Sequence, residues 1–302
     1  MRVLVTGAAG QLGIVTVATW ARDHEVVACT RHELDITAPA DVRATIERHR
    51  PDLVLNCAAY NLVDQAEADA LPALHVNAFA VRHLARAAAS LGAVFVHYGT
   101  DFVYDGEAQT PYTEEDAPRP QSVYGASKLL GEWFALECPR GYVLRVESLF
   151  GGPAPRSSVD RIVDALAGGR AAPVFVDRVV SPSYVEDVAA ATRRLVEGRG
   201  AFGLYHCVND GHASWFDVGC EVARLVGASP SLLAPMRVDE VSLVAKRPRF
   251  CALSNAKLKA AGVVMPPWQD AVARYLQARP ARLRPRDGSE AGAAPQGTAD
   301  SR

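Results

Sequence analysis

One tyrosine and one lysine, in the run Tyr124-Gly-Ala-Ser-Lys128, have side chains and a spacing that could support a reaction. Residues at positions i and i+4 share a helix face, so the phenol and the amine would reach a common ligand. A carbonyl that accepts hydride from a nicotinamide needs a proton donor at its oxygen, and an unassisted phenol, with a pKa of about 10, is a weak one. We expect the charge of Lys128, together with that of an oxidised nicotinamide, to lower the pKa of Tyr124.

Two more polar side chains, Thr100 and Asp101, come shortly after a strand predicted over Ala93–Tyr98. Open α/β sheets bind ligands at the carboxyl ends of their strands, which would bring the Thr100 hydroxyl to the same carbonyl oxygen. Asp101 has two interpretations, because an aspartate in this position either contacts the substrate or caps a turn through its own backbone.

A glycine-rich run, Val3-Leu-Val-Thr-Gly-Ala-Ala-Gly-Gln-Leu-Gly13, predicts the site of a dinucleotide. The missing Cβ permits a tight strand-to-helix turn at Gly7, close approach of backbone N–H groups to phosphates at Gly10, and packing of the helix on the sheet at Gly13. The positive end of that helix would then face a pyrophosphate.

The elements that must position these groups alternate along the first half of the chain. Strands are predicted over Val3–Thr6, Glu25–Cys29, Asp52–Cys57, Ala93–Tyr98 and Tyr142–Val146. Helices are predicted over Gln11–Arg22, Pro39–Arg50, Asp64–Ser90 and Ser122–Glu137. Apolar strands separated by helices are typical of a parallel sheet buried on both faces, so we predict an α/β fold with a Rossmann-type, doubly wound sheet.

The pattern divides the chain into three parts. Residues 1–150 form the predicted nucleotide-binding domain, and residues 151–277, with looser periodicity, form a smaller α/β domain that binds the substrate and returns some segments to the first domain. Residues 278–302 are rich in Pro, Gly and Ala without an apolar period, which predicts a disordered tail.

Composition excludes several classes of partner. The 302 residues carry a formal net charge of −2, which gives no basic field for nucleic acid. The apolar runs are shorter than the roughly 20 residues that span a bilayer, and Met1 leads directly into a predicted strand, which leaves no room for a secretion signal. We therefore expect a cytoplasmic protein that binds neither nucleic acid nor a membrane.

Taken together, these motifs resemble the dTDP-4-dehydrorhamnose reductase family, which are extended short-chain dehydrogenases/reductases that act on sugar nucleotides. The resemblance covers residues 1–277. Besides the glycine run, it is carried by the segments Arg50–Tyr60, Val63–Glu67, His97–Gly106, Val123–Lys128, Gly203–His206 and Lys246–Arg249. It implies NADPH-dependent reduction of a nucleotide-linked 4-keto-6-deoxy sugar, with dTDP-4-dehydro-L-rhamnose as the favoured substrate and dTDP-L-rhamnose as the product. A homodimer is a further expectation.

The resemblance also implies roles for individual positions. The catalytic set would be Thr100, Tyr124 and Lys128, and the substrate contacts would include Thr100 and Asp101. The cofactor contacts would be Gly10, Gln11, Leu12, Asp35, Ile36, Ala59, Tyr60, Asn61 and Tyr98, together with Tyr124 and Lys128.

Three positions depart from the family pattern or refine it. Ser148 stands where many members have a substrate-contacting Trp, which leaves the identity of the sugar open. Val15 stands where some members have an acidic Mg²⁺ ligand, so we predict no metal there. Arg31 follows the second strand where NAD sites often have an acidic residue, which favours NADPH over the alternative, NADH.

Two alternative functions stay open at this point. The segment Arg145-Val-Glu-Ser-Leu-Phe150 is similar to that of the methionine adenosyltransferase β subunit, which would make the chain a regulatory subunit that binds a cofactor without catalysis. The other alternative is a reductase or epimerase of a different nucleotide sugar.

Overall fold

A computed structural model of the chain describes residues 1–153 and 157–279. The strands are β1 Arg2–Thr6, β2 Glu25–Cys29, β3 Leu53–Asn56, β4 Val94–Thr100, β5 Gly141–Val146, β6 Leu149–Phe150, β7 Ala172–Phe175, β8 Val179–Val180, β9 Ser183–Tyr184, β10 Gly203–His206, β11 Ala213–Ser214 and β12 Leu233–Met236. The helices are α1 Gln11–Trp20, α2 Pro39–His49, α3 Val63–Ala68, α4 Ala70–Leu74, α5 Ala80–Ser90, α6 Val123–Leu136, α7 Ser158–Ala167, α8 Val185–Glu197, α9 Trp215–Val226, α10 Ala256–Ala260 and α11 Trp268–Ala278. A π-helical turn, His75–Phe79, joins α4 to α5.

Six strands form one parallel sheet in the order β2-β1-β3-β4-β5-β10. Successive side chains of β1 point to opposite faces, so Val3 and Val5 belong to one apolar cluster and Leu4 to another. The first cluster includes residues of α1 and α8, and the second includes residues of α2 and α5. Helices therefore cover both faces, which confirms the predicted α/β fold with a Rossmann-type sheet.

All six strands are parallel, but the direction in which successive strands are added to the sheet reverses between β1 and β3. From β1 the chain moves outward to β2, and it then returns to the other side of β1 to form β3, β4 and β5 in turn. Such a switch opens a crevice at the carboxyl ends of the strands, where open α/β sheets bind their ligands.

Most of the short strands after residue 148 lie outside the six-stranded sheet. They form the pairs β7–β12, β8–β11 and β6–β9, while β10 joins the main sheet and α8 packs against α1. Among the helices that the structure describes, none is long and apolar enough to cross a bilayer.

The prediction of one continuous helix over Asp64–Ser90 was wrong. The chain leaves α3 at Asp69, whose backbone is extended and whose carboxylate caps α4 by accepting a hydrogen bond from the Leu71 N–H at 3.2 Å. Pro72 lies in the first turn of α4, where its missing N–H costs no helical hydrogen bond. Both residues are signals of a helix start that an uninterrupted periodic pattern concealed.

The second half also differs from the prediction at its end. Helix α11 was not predicted, although Trp268, Ala271, Val272 and Tyr275 have the spacing of a buried helical face. The predicted tail was placed too early, because Ala278 ends α11 and Arg279 is buried, with a hydrogen bond of 2.6 Å to Asp164 Oδ1. The rest of that predicted tail, residues 280–302, lies outside the described residues.

Close packing of α1 against the first turn gives a testable requirement for Gly13. A Cβ at this position would overlap the Gly7 carbonyl oxygen, so Gly13→Ala should lower the free energy of unfolding by about 1–3 kcal/mol. Denaturant unfolding measures the loss. The matched control is Gly168→Ala at the exposed end of α7, where we expect a change within about 0.5 kcal/mol. Equal losses in the two variants would contradict this packing argument.

Candidate active site

A cleft with a volume of about 670 Å³ opens at the carboxyl ends of β1, β3 and β4. The structure brings nearly all predicted site residues to its wall: Gly7, Gly10, Gln11, Leu12, Arg31, Asp35, Ile36, Ala59, Tyr60, Asn61, Tyr98, Thr100, Asp101, Tyr124, Lys128 and Ser148. Gly13 lies behind the wall, against Gly7, where its missing Cβ lets α1 approach the turn. A single cavity therefore joins the glycine turn to the tyrosine and lysine.

The glycine turn leaves backbone groups free at one end of this cleft. Gly7 has a φ of +65°, and a Cβ there would lie 2.6 Å from the Ala58 backbone nitrogen, so only glycine fits. Gly10 is the N-cap of α1 and offers no side-chain cap, and the first turn of α1 carries no acidic residue. The helix end that faces the cleft thus keeps unsatisfied N–H donors suited to an anion.

The outer end of the cleft holds Arg31 and Asp35. The Asp35 carboxylate accepts hydrogen bonds from the backbone N–H and the hydroxyl of Thr37, at 2.9 and 2.7 Å, and these bonds lower its pKa. Its side chain is therefore committed to a turn, whereas the buried Ile36 offers an apolar surface. Arg31 is exposed and forms no ion pair with any residue in the described part of the chain.

One loop of the cleft, Ala59–Asn61, is held by a residue that the sequence analysis missed. Asn77, fully buried in the π-helical turn, accepts a hydrogen bond from the Tyr60 N–H at 2.8 Å and donates one to the Tyr60 carbonyl at 3.0 Å. It also donates to Ser127 Oγ at 3.0 Å, which ties the loop to α6. An asparagine inside an apolar helix pattern is the signal that could have identified it.

The predicted catalytic residues converge from two elements. Thr100 ends β4, while Tyr124 and Lys128 lie on the first turns of α6. Ser122 is the N-cap of α6, and its hydroxyl accepts a hydrogen bond from the Gly125 N–H. The Tyr124 hydroxyl donates to Asn61 Oδ1 at 3.4 Å. All three predicted catalytic side chains are at least nine-tenths buried.

The expected lowering of the Tyr124 pKa is not found. Burial and the nearby Asp101 carboxyl raise that pKa, and the Thr100 side chain only partly opposes them. Lys128 is not among the groups that shift this pKa, and its amine donates a hydrogen bond of 2.5 Å to the Tyr98 carbonyl of β4. At neutral pH the phenol therefore holds its proton, which suits a group that must donate it.

Burial lowers the pKa of Lys128 to about 8, against the opposing influence of Glu132 and Cys57. Glu132 is itself paired with Arg145 of β5 at 2.7 Å, and both side chains are almost fully buried. Gly99 of β4 makes room for this pair, because a Cβ there would overlap Glu132 Oε1. One buried ion pair therefore lies beneath the cleft beside Lys128.

A second buried group was also missed. Asp101, Glu147 and Cys251 bring potential ligand atoms within 4.8 Å of one another, and the nearby Arg178 lowers the pKa of both carboxyls. Burial outweighs that effect and raises both pKa values. Among the described residues, Asp101 Oδ2, Glu147 Oε1 and Arg178 Nε have no hydrogen-bond partner. The signal for this group was an acidic residue, Glu147, inside an apolar strand-like run.

Two further positions from the sequence analysis, Ser148 and Val15, lie in different surroundings. Ser148 follows Glu147 with a φ of +43°, so its backbone turns back toward the cleft in the left-handed region. Val15, which stands where some family members have a metal ligand, lies on α1 with its side chain buried in the apolar core.

The raised pKa of Glu147 has a consequence for stability. Below the usual pKa of a glutamate both the folded and the unfolded chain hold the proton, whereas above it only the unfolded chain releases it freely, so folding loses stability as the pH rises. Glu147→Gln should therefore raise the free energy of unfolding by about 1–3 kcal/mol at pH 8 and by much less at pH 4. The exposed Glu115→Gln is the control, with a change within about 0.5 kcal/mol at both pH values. A Glu147→Gln variant less stable at pH 8 than at pH 4, relative to the unsubstituted chain, would contradict the argument.

Comparison with known proteins finds one family model and several relatives whose names agree with it. A family model described as the RmlD substrate binding domain matches residues 1–280. A probable dTDP-4,6-dihydroxy-2-methyloxan-3-one 4-ketoreductase from Streptomyces antibioticus is 38% identical over 280 residues, which cover 90% of this chain and 93% of that protein. A dTDP-4-dehydrorhamnose reductase from Streptomyces griseus is 36% identical over 269 residues, which cover 87% of this chain and 88% of that protein.

Solved structures agree with these sequence relatives. A dTDP-4-dehydrorhamnose reductase from Clostridium acetobutylicum has a TM-score of 0.87 and 32% identity, and the match covers 92% of this chain and 99% of that one. The dTDP-4-dehydrorhamnose reductase from Bacillus anthracis, solved in complex with NADP, has a TM-score of 0.86 and 30% identity with the same coverage. The chain belongs to the RmlD substrate binding domain family.

Proposed function

We propose that this chain is an NADPH-dependent reductase that converts the 4-keto group of a dTDP-linked 6-deoxy sugar to a hydroxyl, with dTDP-4-dehydro-L-rhamnose as the favoured substrate. The observation that carries the proposal is the single cleft that joins the glycine turn to Thr100, Tyr124 and Lys128. The names of the relatives from Streptomyces griseus and Bacillus anthracis support the same reaction.

The residues present fit a dinucleotide. The turn at Gly7 lies against the Ala58 backbone with no room for a Cβ, and the uncapped start of α1 beside it supplies N–H donors for a pyrophosphate. The loop Ala59–Asn61 and the buried Tyr98 would line the path toward Lys128. A bound NADPH would supply the hydride that reduces the carbonyl carbon of the sugar.

Three side chains of the chain then complete the reaction. As the carbonyl carbon gains the hydride, the carbonyl electron pair moves to oxygen, and that oxygen takes the proton of the Tyr124 hydroxyl. The Thr100 hydroxyl, which donates to Asp101 Oδ1 at 3.0 Å in this structure, would turn to donate a hydrogen bond to the same oxygen. The ammonium form of Lys128 offsets the negative charge left on the phenolate.

Arg31 supports the choice of NADPH over NADH. Its guanidinium lies at the outer end of the cleft, beyond β2, and has no ion-pair partner among the described residues. A 2′-phosphate on the adenine ribose would give it one. The Bacillus anthracis relative was solved with NADP, which agrees with this choice.

A second cavity of about 280 Å³ supports the division of labour between the two halves of the chain. Arg161, Phe175, Arg178 and Trp215 line it, and they could hold the diphosphate and the base of a sugar nucleotide. The Arg178 guanidinium lies 5.8 Å from the Phe102 ring, which belongs to the main cleft, so the two cavities are neighbours. Residues 1–150 would thus hold the cofactor and residues 151–277 mainly the nucleotide of the substrate.

The sugar itself is the least constrained part of the proposal. Relatives of similar identity are named for different sugars, including a dTDP-4-keto-6-deoxy-D-glucose reductase from Streptomyces niveus that is 36% identical over 265 residues. Ser148 is small and lines the same cleft as Thr100, Asp101 and Glu147, so its side chain leaves room for a sugar with bulk or hydroxyl groups.

Loss of the Tyr124 hydroxyl tests the proposed acid. Tyr124→Phe should lower turnover of a dTDP-4-keto-6-deoxy sugar by about 10²–10⁴, because general acid catalysis is lost while the ring remains. Oxidation of NADPH, followed at 340 nm, measures it. Tyr205→Phe is the control, since that hydroxyl donates to the Ala201 carbonyl outside the cleft, and it should keep nearly full turnover. A Tyr124→Phe variant as fast as this control would reject the assignment.

Removal of the Arg31 guanidinium tests the cofactor choice. Arg31→Ala should weaken NADPH binding about tenfold or more, which corresponds to the loss of one charge-assisted hydrogen bond, and should leave NADH binding unchanged. Fluorescence titration with each reduced cofactor gives both dissociation constants. Arg43→Ala, an exposed arginine on α2 outside the cleft, should change neither. Equal effects of Arg31→Ala on the two cofactors would contradict a role at the 2′-phosphate.

A further inference from the structure

A row of buried polar side chains lies directly behind Lys128 and has no part in the reaction described above. Thr6 Oγ1 donates to Asn56 Oδ1 at 2.7 Å, Asn56 Nδ2 lies 3.1 Å from His97 Nδ1, and His97 Nε2 lies 3.4 Å from Lys128 Nζ. These four side chains are between 0% and 3% exposed, so each must find its hydrogen bonds inside the protein. They connect β1, β3 and β4 with α6.

The orientation of Asn56 in this row is fixed by the backbone. The Ala58 N–H, which can only donate, lies 3.2 Å from Asn56 Oδ1. A reversed amide would place two donors face to face at this point, so the oxygen must point toward Ala58 and the NH₂ group toward His97. His97 Nδ1 consequently accepts a hydrogen bond and carries no proton.

The position of the remaining imidazole proton follows. Burial holds the pKa of His97 well below its usual range, and a protonated Lys128 lowers it further, so the ring is neutral and has one N–H whichever form the amine takes. With Nδ1 as an acceptor, that N–H is at Nε2, where it faces the Lys128 amine. An N–H donor repels an ammonium but can donate to the lone pair of an uncharged amine.

We infer that Asn56 and His97 form a positioning relay that sets the proton of His97 on Nε2 and thereby favours the uncharged form of the Lys128 amine. In that form Lys128 donates to the Tyr98 carbonyl and accepts from His97, and both contacts are already in place. The ammonium form, which offsets the phenolate charge in the proposed reaction, would then give up its proton more readily near neutral pH. Its catalytic meaning rests on the proposed function, whereas its geometry does not.

Other groups that face Lys128 act with or against this relay. Glu132, on the next turn of α6, favours the ammonium, but its carboxylate is bound by Arg145. The Cys57 thiol, after β3, has a pKa raised to about 12 by burial and is therefore uncharged at neutral pH. Burial of the amine favours the same uncharged form as the relay does. A single substitution, at Asn56 in β3, can therefore reverse the influence that the His97 ring has on the Lys128 amine.

The proton of His97 can be observed directly. The full chain has eight histidines, and ¹⁵N labelling of their rings distinguishes a protonated from an unprotonated ring nitrogen by chemical shift. The His97 signal is assigned by its loss in His97→Gln. We expect an unprotonated Nδ1 and a protonated Nε2 across the neutral range. A protonated Nδ1, or a ring protonated on both nitrogens, would overturn the inference.

Asn56→Asp reverses the relay. The carboxylate still accepts from Ala58 and Thr6, but its second oxygen accepts from His97 Nδ1–H, which leaves a lone pair on Nε2 to bind the Lys128 ammonium. The titration midpoint of Lys128 should then rise by about one pH unit or more. Labelled ¹³Cε signals report it readily, because the chain has only four lysines, Lys128, Lys246, Lys257 and Lys259. An unchanged midpoint, or an unchanged His97 proton, would overturn the inference.

Asn77→Asp is the matched control. Asn77 is as buried as Asn56 and hydrogen-bonds Ser127, the neighbour of Lys128, but it has no hydrogen bond to His97 among the described residues. It adds the same charge next to α6, and we expect the His97 proton to stay on Nε2. A shift of that proton in both variants would attribute the change to charge alone and overturn the relay. If the unsubstituted chain has the His97 proton on Nε2 but does not turn over any keto sugar, the proposed function is contradicted and the relay is not.

Discussion

The hydrogen bond from the Lys128 amine to the Tyr98 carbonyl joins α6 to β4, and the geometry of the whole site depends on it. Thr100 lies two residues beyond Tyr98 on the same strand, and Tyr124 lies one helical turn before Lys128. A single contact therefore sets both the distance between strand hydroxyl and phenol and the depth of the amine below the cleft. Because the contact is buried, solvent does not compete for it.

Many polar groups lie in the interior near this contact and near the carboxyl ends of β4 and β5. Lys128, the pair Glu132 and Arg145, and the carboxyls of Asp101 and Glu147 are almost fully buried. Burial of such groups is unfavourable unless each is paired or hydrogen-bonded, and the orphan oxygens of Asp101 and Glu147 indicate that this pairing is incomplete. The same low-polarity surroundings strengthen any interaction made with a substrate, so the region with the highest cost in stability is also the region best suited to chemistry.

The repeated local patterns were sufficient to predict the sheet and the cleft. Apolar strands, the glycine turn and the spacing of Tyr124 and Lys128 are each encoded within a few neighbouring residues. Features that depend on tertiary contacts were not predictable in this way. The role of Asn77 and the group around Glu147 arise from elements that are distant in sequence, as does the burial that raises the pKa of Tyr124. The break at Asp69, in contrast, has local signals that the periodic pattern concealed.

The central claim is that hydride passes, within one cleft, from a bound dinucleotide to the keto carbon of a dTDP-linked sugar. The most direct measurement uses NADPH with deuterium at C4 of the nicotinamide and follows dTDP-4-dehydro-L-rhamnose and related dTDP-4-keto-6-deoxy sugars by mass spectrometry and NMR. The account predicts a product with a single deuterium, bonded to C4 of the sugar. Absence of NADPH oxidation with every sugar of the panel, or deuterium at any other carbon, would contradict it.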